Sequence, residues 1–473
     1  MASPNIAFDT IPSSIRKPGK YFEFNTKLAV RTLPGNLQKL LIVGQKLAAG
    51  TAVANAINDI FSDTEASTLF GRGSICHLMV REALKANPNL QLAVIGMDDA
   101  GAGVFAAGSL TITGPATGVG VASLYVADQT VEVAVATGDT ATVIAAALVA
   151  QIAKQPDLPL TSSNLAGVIT LTAKNKGTLG NQIRLSAKTT AAGTTVAIVA
   201  MAAGATDPTL ATALAIAFTA GHHVICSAWN DSTNLTALRT HLDNVSGSLE
   251  QRGAVGIFGH TGTLAAATTL AGTINSGRIS GILVPNALDL PHVVAAAYAA
   301  VVAAEEDPAR PLNTLALTGI LANPLANRLS RTEQENALNN GITPSEVGPG
   351  DKVQIVRAIT TYTLDPQTIP DISLFDLTTI RTLDYVRKAI RERISLRFPR
   401  EKLSVRTEKK VRSEIIDVLF KLEELEIIEK VQDNLTGVIV ERDLQDPNRL
   451  NARIPADVVN GLHIFAGRID LLL

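Results

Sequence analysis

The sequence predicts an α/β protein with a parallel, doubly wound core, an inserted β-rich domain, an α+β C-terminal domain and extended terminal arms. Three observations predict this class. Short apolar segments alternate with amphipathic helical segments along residues 37–96 and 206–345, which is typical of parallel strands covered by helices on both faces. Residues 97–205 lack this alternation. Charged residues number only 12 in positions 96–220 but 40 in positions 351–473, so these segments present different kinds of surface.

Residues 1–36 are predicted to form an extended arm, because they contain four prolines and no helical periodicity. A short β-prone segment follows the turn at Pro18 and Gly19. It consists of Tyr21, Phe22, Glu23 and Phe24. A frayed terminus is the alternative interpretation.

The core, assigned to residues 37–96 and 206–345, is predicted to begin with a strand at 39–43. A helix at 64–86 follows, with Asp63 or Thr64 as its N-cap. The remaining predicted elements are strands at 90–95, 223–228, 254–258 and 279–284 and helices at 208–220, 232–249, 262–275 and 290–306.

Residues 97–205 are predicted to form a β-rich domain inserted into a loop of the core sheet. Apolar and polar or small residues alternate at 131–135 and 169–173, as in strands with one buried face, and 181–185 and 195–199 look similar. A helix is expected at 140–153. Joining a separate fold to a surface loop costs little entropy, so such an insertion is tolerated.

Residues 346–461 are predicted to form an α+β domain, and residues 462–473 a C-terminal strand arm. The arm ends in three leucines, which would be a liability in water, so they are expected to be covered. The other predicted elements are a strand at 353–362, an amphipathic helix at 376–398, a broken helical stretch at 401–430 and a strand at 437–440.

The sequence predicts no enzyme, cofactor or metal site. It has no phosphate-binding loop or nucleophile elbow, and its seven histidines are scattered. Cys76 and Cys226 give neither a zinc motif nor a disulfide framework and fit a reducing compartment. A catalytic triad requires choosing among Asp98, Asp99, His260, Ser276 and Ser280, a combination expected by chance. An α/β enzyme, either nucleotide-binding or hydrolytic, is the leading alternative.

The balance of 41 basic and 43 acidic residues argues against a nucleic-acid or membrane-surface partner. The longest uncharged stretch, residues 101–127, is rich in glycine and is predicted to form strands and turns, not a membrane helix. The first 16 residues contain no apolar run of the kind found in a secretory signal. A soluble protein made in a cytoplasm is therefore expected.

Opposite charges are segregated in the C-terminal region. On the predicted helix 376–398, Arg381, Lys388 and Arg391 fall within an arc of about 80°. Residues 402–412 hold five basic residues and one acidic residue, whereas residues 414–429 hold six acidic residues and one basic residue. These are either solvated helix faces or complementary surfaces that meet identical subunits or a different acidic partner.

Several short segments occur in a characteristic order. They are PGKYFEF at 18–24, NNGIT at 339–343, IVRAITTY at 355–362, DLTTIRTLDYVR at 376–387 and NRLN at 448–451, followed by the closing strand. In these segments, and across nearly its whole length, the chain resembles the sheath proteins of contractile phage tails, most closely those of the Mu-like type.

The resemblance implies a structural subunit that forms stacked hexameric rings around a tail tube. Contraction of the rings would drive the tube through the host envelope, and the sheath would meet baseplate and tail terminator proteins. The core would have a subtilisin-like topology without proteolytic function. The subunit would be assembled in the host cytoplasm and placed in the virion tail, although a sheath of a non-viral contractile injection device is not distinguished by the sequence.

Site residues follow from the resemblance together with the β-prone termini and the charge pattern. The tube contact is assigned to Arg381, Lys388 and Arg391. The strand arms comprise Tyr21, Phe22, Glu23, Phe24, Ile464, Phe465, Ile469, Leu471, Leu472 and Leu473, and they are expected to dock on a neighbour's acceptor strand at Val353, Ile355, Ile359 and Tyr362. The inserted domain is placed on the outside of the sheath.

Overall fold

The computed structural model describes residues 14–22 and 33–471 and divides into two compact units. The first unit contains the N-terminal residues up to Gly35 together with Val386–Asp457. The second contains Asn36–Tyr385 and Val458–Leu473. The proposed division at 97–205, 346–461 and 462–473 is finer than this and stays a prediction.

The strands, in chain order, are β1 (Lys39–Gln45), β2 (Ile57–Ile60), β3 (Gln91–Met97), β4 (Phe105–Thr113), β5 (Gly120–Val126), β6 (Gln129–Val135), β7 (Leu160–Leu165), β8 (Val168–Lys176), β9 (Leu185–Thr189), β10 (Thr195–Ala202), β11 (Val224–Ser227), β12 (Val255–His260), β13 (Ile279–Leu283), β14 (Thr343–Gly348), β15 (Lys352–Ile355), β16 (Ile428–Glu429), β17 (Ile439–Arg442), β18 (Leu450–Arg453) and β19 (Asp457–Val458).

The helices are α1 (Asp63–Phe70), α2 (Ile75–Ala86), α3 (Ala141–Ala153), α4 (Leu210–Ala217), α5 (Ser232–Ser246), α6 (Leu264–Ile274), α7 (Pro291–Ala304), α8 (Arg331–Asn339), α9 (Leu377–Arg397), α10 (Val405–Glu424) and α11 (Val431–Asn434). No helix in the described part of the chain is long and apolar enough to cross a bilayer.

A mixed, mostly parallel sheet forms the centre of the second unit. Its strand order is β15-β14-β13-β12-β11-β1-β3-β2. The pairs from β3 to β14 are parallel, whereas β2 and β15 pair antiparallel at the edges. Leu40, Leu41, Ile42 and Val43 of β1 are fully buried, as expected for a strand whose two faces are both covered. The predicted α/β class is thus confirmed, and the central pairs of the sheet are parallel as predicted.

The predicted helix at 64–86 is in fact two helices, α1 and α2. Ser62 and Ser74 are their N-caps, each accepting a hydrogen bond from a backbone N–H three residues ahead, so the predicted cap at Asp63 or Thr64 is wrong. The first helix ends at its C-cap Gly71, and both Gly71 and Gly73 have positive φ values, 84° and 76°, which favour glycine.

The inserted residues form two antiparallel sheets and one helix. The sheets have strand orders β10-β4-β8-β7 and β6-β5-β9, and α3 begins after its N-cap Thr140. The strand predicted at 181–185 is wrong, because residues 178–182 form a 3-10 turn and β9 begins only at Leu185. The carboxylate of Asp207 fixes this turn by accepting hydrogen bonds from the backbone and side chain of Thr178.

Asn175 on β8 ties the insertion to the parallel sheet within the second unit. Its buried amide donates to the Lys46 carbonyl and to Asp99 Oδ1, both at 3.0 Å, and its oxygen accepts from the Ile75 N–H at 3.3 Å. Gln45 donates to the same Asp99 oxygen at 2.7 Å. The strand ends of the sheet and the start of α2 therefore share one polar network with the insertion.

The first unit contains α10 and an antiparallel ribbon, β17–β18. The predicted helical stretch 401–430 is shorter in the structure, where α10 ends at Glu424. Its buried side chains are Thr407, Val411, Ile415, Val418, Leu419 and Leu422. The strand predicted at 437–440 corresponds to β17, which pairs with β18 from Ile439↔Arg453 to Arg442↔Leu450. The sequence did not predict β18.

Candidate assembly surfaces

The C-terminal segment 461–471 has apolar side chains that its own subunit does not cover. It forms no helix or strand, and its described residues make no backbone-to-backbone hydrogen bond. His463 anchors its start, with Nδ1 2.9 Å from Asn313 Nδ2. The exposed side chains beyond it, with fractional exposures from 78% to 99%, are Ile464, Phe465, Ile469 and Leu471. Leu472 and Leu473 lie outside the described residues.

The predicted N-terminal arm is only partly described. Residues 14–22 form no strand, and Tyr21 and Phe22 are 40% and 87% exposed. Glu23 and Phe24 lie outside the described residues. The strand role of these four residues therefore stays a prediction.

The predicted acceptor strand has no open edge at β15. On one side β15 pairs with β14, and on the other side residues 314–317 of the same chain cover it. The Thr314 and Leu317 N–H groups donate to Ile355 and Val353 carbonyls at 2.8 Å, and the Ile355 N–H donates to the Leu315 carbonyl at 3.0 Å. The prediction that Val353 and Ile355 accept a neighbour's strand is wrong for this structure, because a donated strand would first have to displace residues 314–317.

The other two predicted acceptor residues also bond inside their own subunit. The Ile359 N–H donates to Thr343 Oγ1 at 3.0 Å, and the Ile359 carbonyl accepts from Ser280 at 2.5 Å. Tyr362 donates its hydroxyl to Asp371 at 2.7 Å, and this bond raises the pKa of Tyr362. The predicted strand 353–362 ends at Ile355, and the remainder is irregular.

The ribbon β17–β18 is a more open candidate acceptor. Ile439, Glu441, Arg442, Ala452 and Arg453 on this ribbon are exposed. Its turn is built around Asp443, whose carboxylate accepts from the Asp446 and Gln445 N–H groups at 2.9 and 2.8 Å and from Asn451; these bonds lower its pKa to about 2. The Asp-Pro-Asn sequence at 446–448 was the turn signal that could have identified this hairpin.

The three predicted tube-contact residues differ in burial. Arg381 is buried, with 6% exposure, and donates to the Glu305 carbonyl at the end of α7. Burial lowers the pKa of Arg381 to about 10. The prediction is therefore wrong for Arg381, since this guanidinium is not on the surface. Lys388 is half-buried and donates to the Gly35 carbonyl at 2.8 Å, and Arg391 is exposed.

The candidate residues for a protease triad are not hydrogen-bonded to one another in the structure. Asp98 pairs with Lys46, and Asp99 accepts from Asn175 and from Gln45. His260 accepts from the Gly262 N–H, Ser276 bonds with Thr361, and the Ser280 hydroxyl lies between Tyr298 and the Ile359 carbonyl. None of the hydrogen bonds of these described residues connects one candidate with another.

A cavity of about 490 Å³ lies beyond the carboxyl ends of β11 and β12, where the enzyme alternative expects its pocket. Its polar lining is bonded internally: Gln182 donates to Asn230 at 3.2 Å, and Asn230 donates to the Gly259 carbonyl at 3.2 Å. Burial lowers the pKa of His260, which favours the neutral imidazole. Within the described ranges no group of three or more His, Cys, Asp or Glu residues is placed to hold a metal ion.

The chain is thus a mixed α/β protein whose C-terminal segment exposes apolar side chains, a feature suited to contact with other chains. Residues 203–361 match the phage tail sheath protein central domain, and residues 370–471 match the phage tail sheath C-terminal domain. Together these matches cover more than half of the chain. The chain belongs to the phage tail sheath protein family, and it is a structural protein of the contractile tail.

A full-length relative strengthens this assignment. The chain is 34% identical over 487 aligned residues to the Mu-like prophage FluMu tail sheath protein of Haemophilus influenzae, covering 99% of this chain and 100% of that protein. The expected resemblance to Mu-like sheath proteins is thus confirmed.

Solved sheath structures share the fold. The sheath tail protein of Desulfitobacterium hafniense has a TM-score of 0.52 at 16% identity, covering 94% of this chain and 97% of that one. The sheath tail protein of Listeria innocua has a TM-score of 0.51 at 13% identity, with coverages of 91% and 94%. The PVC sheath complex of an extracellular contractile injection system, in its contracted state, has a TM-score of 0.51 at 12% identity, with coverages of 97% and 98%.

Proposed function

We propose that this chain polymerises as stacked hexameric rings around a tail tube and that contraction of the rings drives the tube through the host envelope. The observation that carries the proposal is the exposed, apolar C-terminal segment 461–471, which has no strand partner in its own subunit. Such a segment is suited to be covered by another copy of the chain. Membership of the tail sheath family supports the same role.

The tails link the copies by adding strands to a neighbour. Each added main-chain hydrogen bond contributes about 0.5–1.5 kcal/mol, so a five-residue strand contributes only a few kcal/mol. Repeated through the polymer, these links keep the lattice connected while the subunits move. The acceptor is the ribbon β17–β18 in place of β15, because a two-stranded ribbon is marginal alone and gains stability from further strands.

The remaining assignments belong to this proposal. The strand order reverses at β1, which supports a doubly wound, subtilisin-like core without proteolytic function. The insertion lies on the outside of the sheath. The polymer meets the tube, the baseplate and the tail terminator proteins, binds no nucleic acid and does not enter a membrane. It is assembled in the host cytoplasm and becomes part of the virion tail.

Deletion of residues 462–473 tests the proposal. We expect a folded monomer that forms no sheath-like tubes, because the strand link is lost while the packed units are retained. Sedimentation velocity and negative-stain microscopy would measure the polymer, and circular dichroism would measure the fold. A matched control replaces two exposed leucines outside the tail and outside the acceptor ribbon, Leu165→Ser and Leu249→Ser, and should polymerise normally. Normal tubes from the truncated chain would contradict the proposal.

A further inference from the structure

Helix α10 carries two exposed surfaces of opposite charge, one at each end. The basic end consists of Lys402, Arg406 and Lys409, next to Val405, which is 66% exposed. The acidic end consists of Glu424 and Glu426, on either side of Leu425, which is 56% exposed. At 1.5 Å per residue, the two ends are about 27 Å apart along the helix. All of these residues belong to the first unit.

The exposed charges are placed against the helix dipole. A helix N-terminus favours acidic side chains and its C-terminus favours basic ones. Arg406 lies in the first turn of α10 and Glu424 in the last, which is the reverse order. Folding of the subunit alone therefore gives no reason for this arrangement.

The charges on α10 that suit the dipole are paired inside the subunit. Glu408, in the first turn, pairs with Arg442 at 3.0 Å, and Lys421, in the last turn, pairs with Asp417 at 3.4 Å. The five exposed charged side chains of the two ends, in contrast, make no ion pair or side-chain hydrogen bond with any residue of the described ranges. Their partners are thus to be sought outside the subunit.

We infer that the basic end of α10 in one copy docks on the acidic end of α10 in the next. Both surfaces belong to the same chain and combine complementary charge with an exposed apolar residue, so a second copy is the partner that fits them. Because the two surfaces differ, the contact is heterologous and propagates in one direction. This inference rests on the proposed function, since it assigns a head-to-tail contact within the polymer.

Charge reversal at each end, and at both together, tests the contact in the purified full-length chain. The basic-end variant is Lys402→Glu, Arg406→Glu and Lys409→Glu, and the acidic-end variant is Glu424→Lys and Glu426→Lys. Each alone should lower the polymerised fraction at least tenfold, because like charges meet at every junction. The variant reversed at both ends should polymerise to within twofold of the native chain, since each junction is complementary again.

Two measurements separate this contact from a loss of folding. The thermal unfolding midpoint of each single-end variant should equal or exceed that of the native monomer, because reversal brings the helix ends into line with the dipole. The matched control is Lys154→Glu, Lys188→Glu and Arg331→Glu, three exposed charges outside α10, and it should polymerise normally. If a reversed chain does not fold, Lys402→Gln, Arg406→Gln and Lys409→Gln should still reduce polymerisation.

The outcomes are distinguishable. Folded single-end variants that polymerise normally, or a loss that reversal at both ends does not repair, would overturn the inference and leave the proposed function standing. A defect seen only when the tail tube is present would also overturn it, because the partner would then be the tube. A native chain that forms no polymer at all would instead contradict the proposed function.

Discussion

At the scale of single residues, Asp289 has a carboxyl group whose charged form is disfavoured by burial. It is 4% exposed and accepts a hydrogen bond from the Leu321 N–H at 2.8 Å. Burial raises the pKa of Asp289 to about 7, and the nearby carboxylates of Asp128 and Glu82 act in the same direction. An unfolded aspartate has a pKa of about 3.9. Between about pH 4 and pH 7 the folded chain therefore holds a proton that the unfolded chain has released.

This proton makes stability depend on pH. The free energy of unfolding should fall as pH rises through the window from about 4 to about 7, because higher pH favours the state with fewer bound protons. Asp289→Asn keeps an acceptor for Leu321 and removes the titration. We expect the variant to be more stable than the native chain at pH 8, by about 1.4 kcal/mol for each unit of pKa difference removed. Fluorescence of the buried Trp229 during urea unfolding would measure this.

The comparison needs two pH values and one control. At pH 4 the native and Asp289→Asn chains should have similar free energies of unfolding. Replacement of the exposed Asp351 by asparagine should leave the slope with pH unchanged. Equal slopes for the native and Asp289→Asn chains would show that this carboxyl group does not control the dependence.

At the scale of elements, the insertion is held to the parallel sheet through Asn175. Asn175→Ala removes the hydrogen bonds to the Lys46 carbonyl, to Asp99 and from the Ile75 N–H, and leaves buried backbone groups unpaired. We expect a loss of about 1–3 kcal/mol in the free energy of unfolding. Urea unfolding would give this value, and limited proteolysis would show whether cleavage increases at the ends of the insertion.

Asn164 provides the matched control for Asn175. It is less buried, and both of its amide hydrogen bonds stay within the insertion, one donated to the Thr142 carbonyl and one accepted from the Gly167 N–H, each at 3.3 Å. Asn164→Ala should cost less than Asn175→Ala and leave the junction resistant to protease. Equal losses for the two variants would argue against a special role for the network at Asn175.

Elements with strong periodicity could be predicted from the sequence, whereas edges and caps could not. The apolar run of β1 and the helices α5, α7 and α9 lie within a few residues of their predicted positions, because continuous burial or one-sided burial fixes their patterns. The break between α1 and α2 was missed because the apolar pattern continues across Gly71 and Gly73. The strand β18 was missed because its alternation of apolar and polar residues covers only four positions, LNAR, within an otherwise polar loop.

The candidate surfaces were predictable only in part, for a related physical reason. The exposure of Ile464 and Phe465 could be expected from local sequence, because their β-prone segment is separate from the predicted core elements. Whether β15 is open depends instead on residues 314–317, which are about 40 positions away along the chain. The burial of Arg381 likewise depends on the end of α7 and not on its own helix.

At the scale of the whole molecule, Lys388 and Arg391 are the two residues that remain in the proposed tube contact, because Arg381 is buried. Lys388→Glu with Arg391→Glu should reduce co-assembly with an acidic tube while polymerisation of the sheath chain alone continues. Co-assembly of the native chain with the tube should weaken as salt is added, because salt screens exposed ion pairs, which contribute only about 0–1 kcal/mol each. Co-sedimentation with the purified tube would measure it.

The control for the tube contact is a reversal of equal charge elsewhere. Lys154→Glu with Lys188→Glu changes the net charge by the same amount on the exposed surface of the insertion, and it should leave co-sedimentation unchanged. Co-assembly that is unaffected by the Lys388 and Arg391 reversals would place the tube contact on other residues.

The short segment 314–317 also affects how copies of the chain can pair with one another. A large sheet with an unpaired edge strand can pair with the same edge strand of a neighbouring molecule. Here three backbone hydrogen bonds from residues 314–317 of the same chain satisfy the outer edge of β15. Crowded copies are thereby kept from pairing along that side. In the proposed assembly, cohesion is then left to short tails, each of which can engage only the neighbours within its reach.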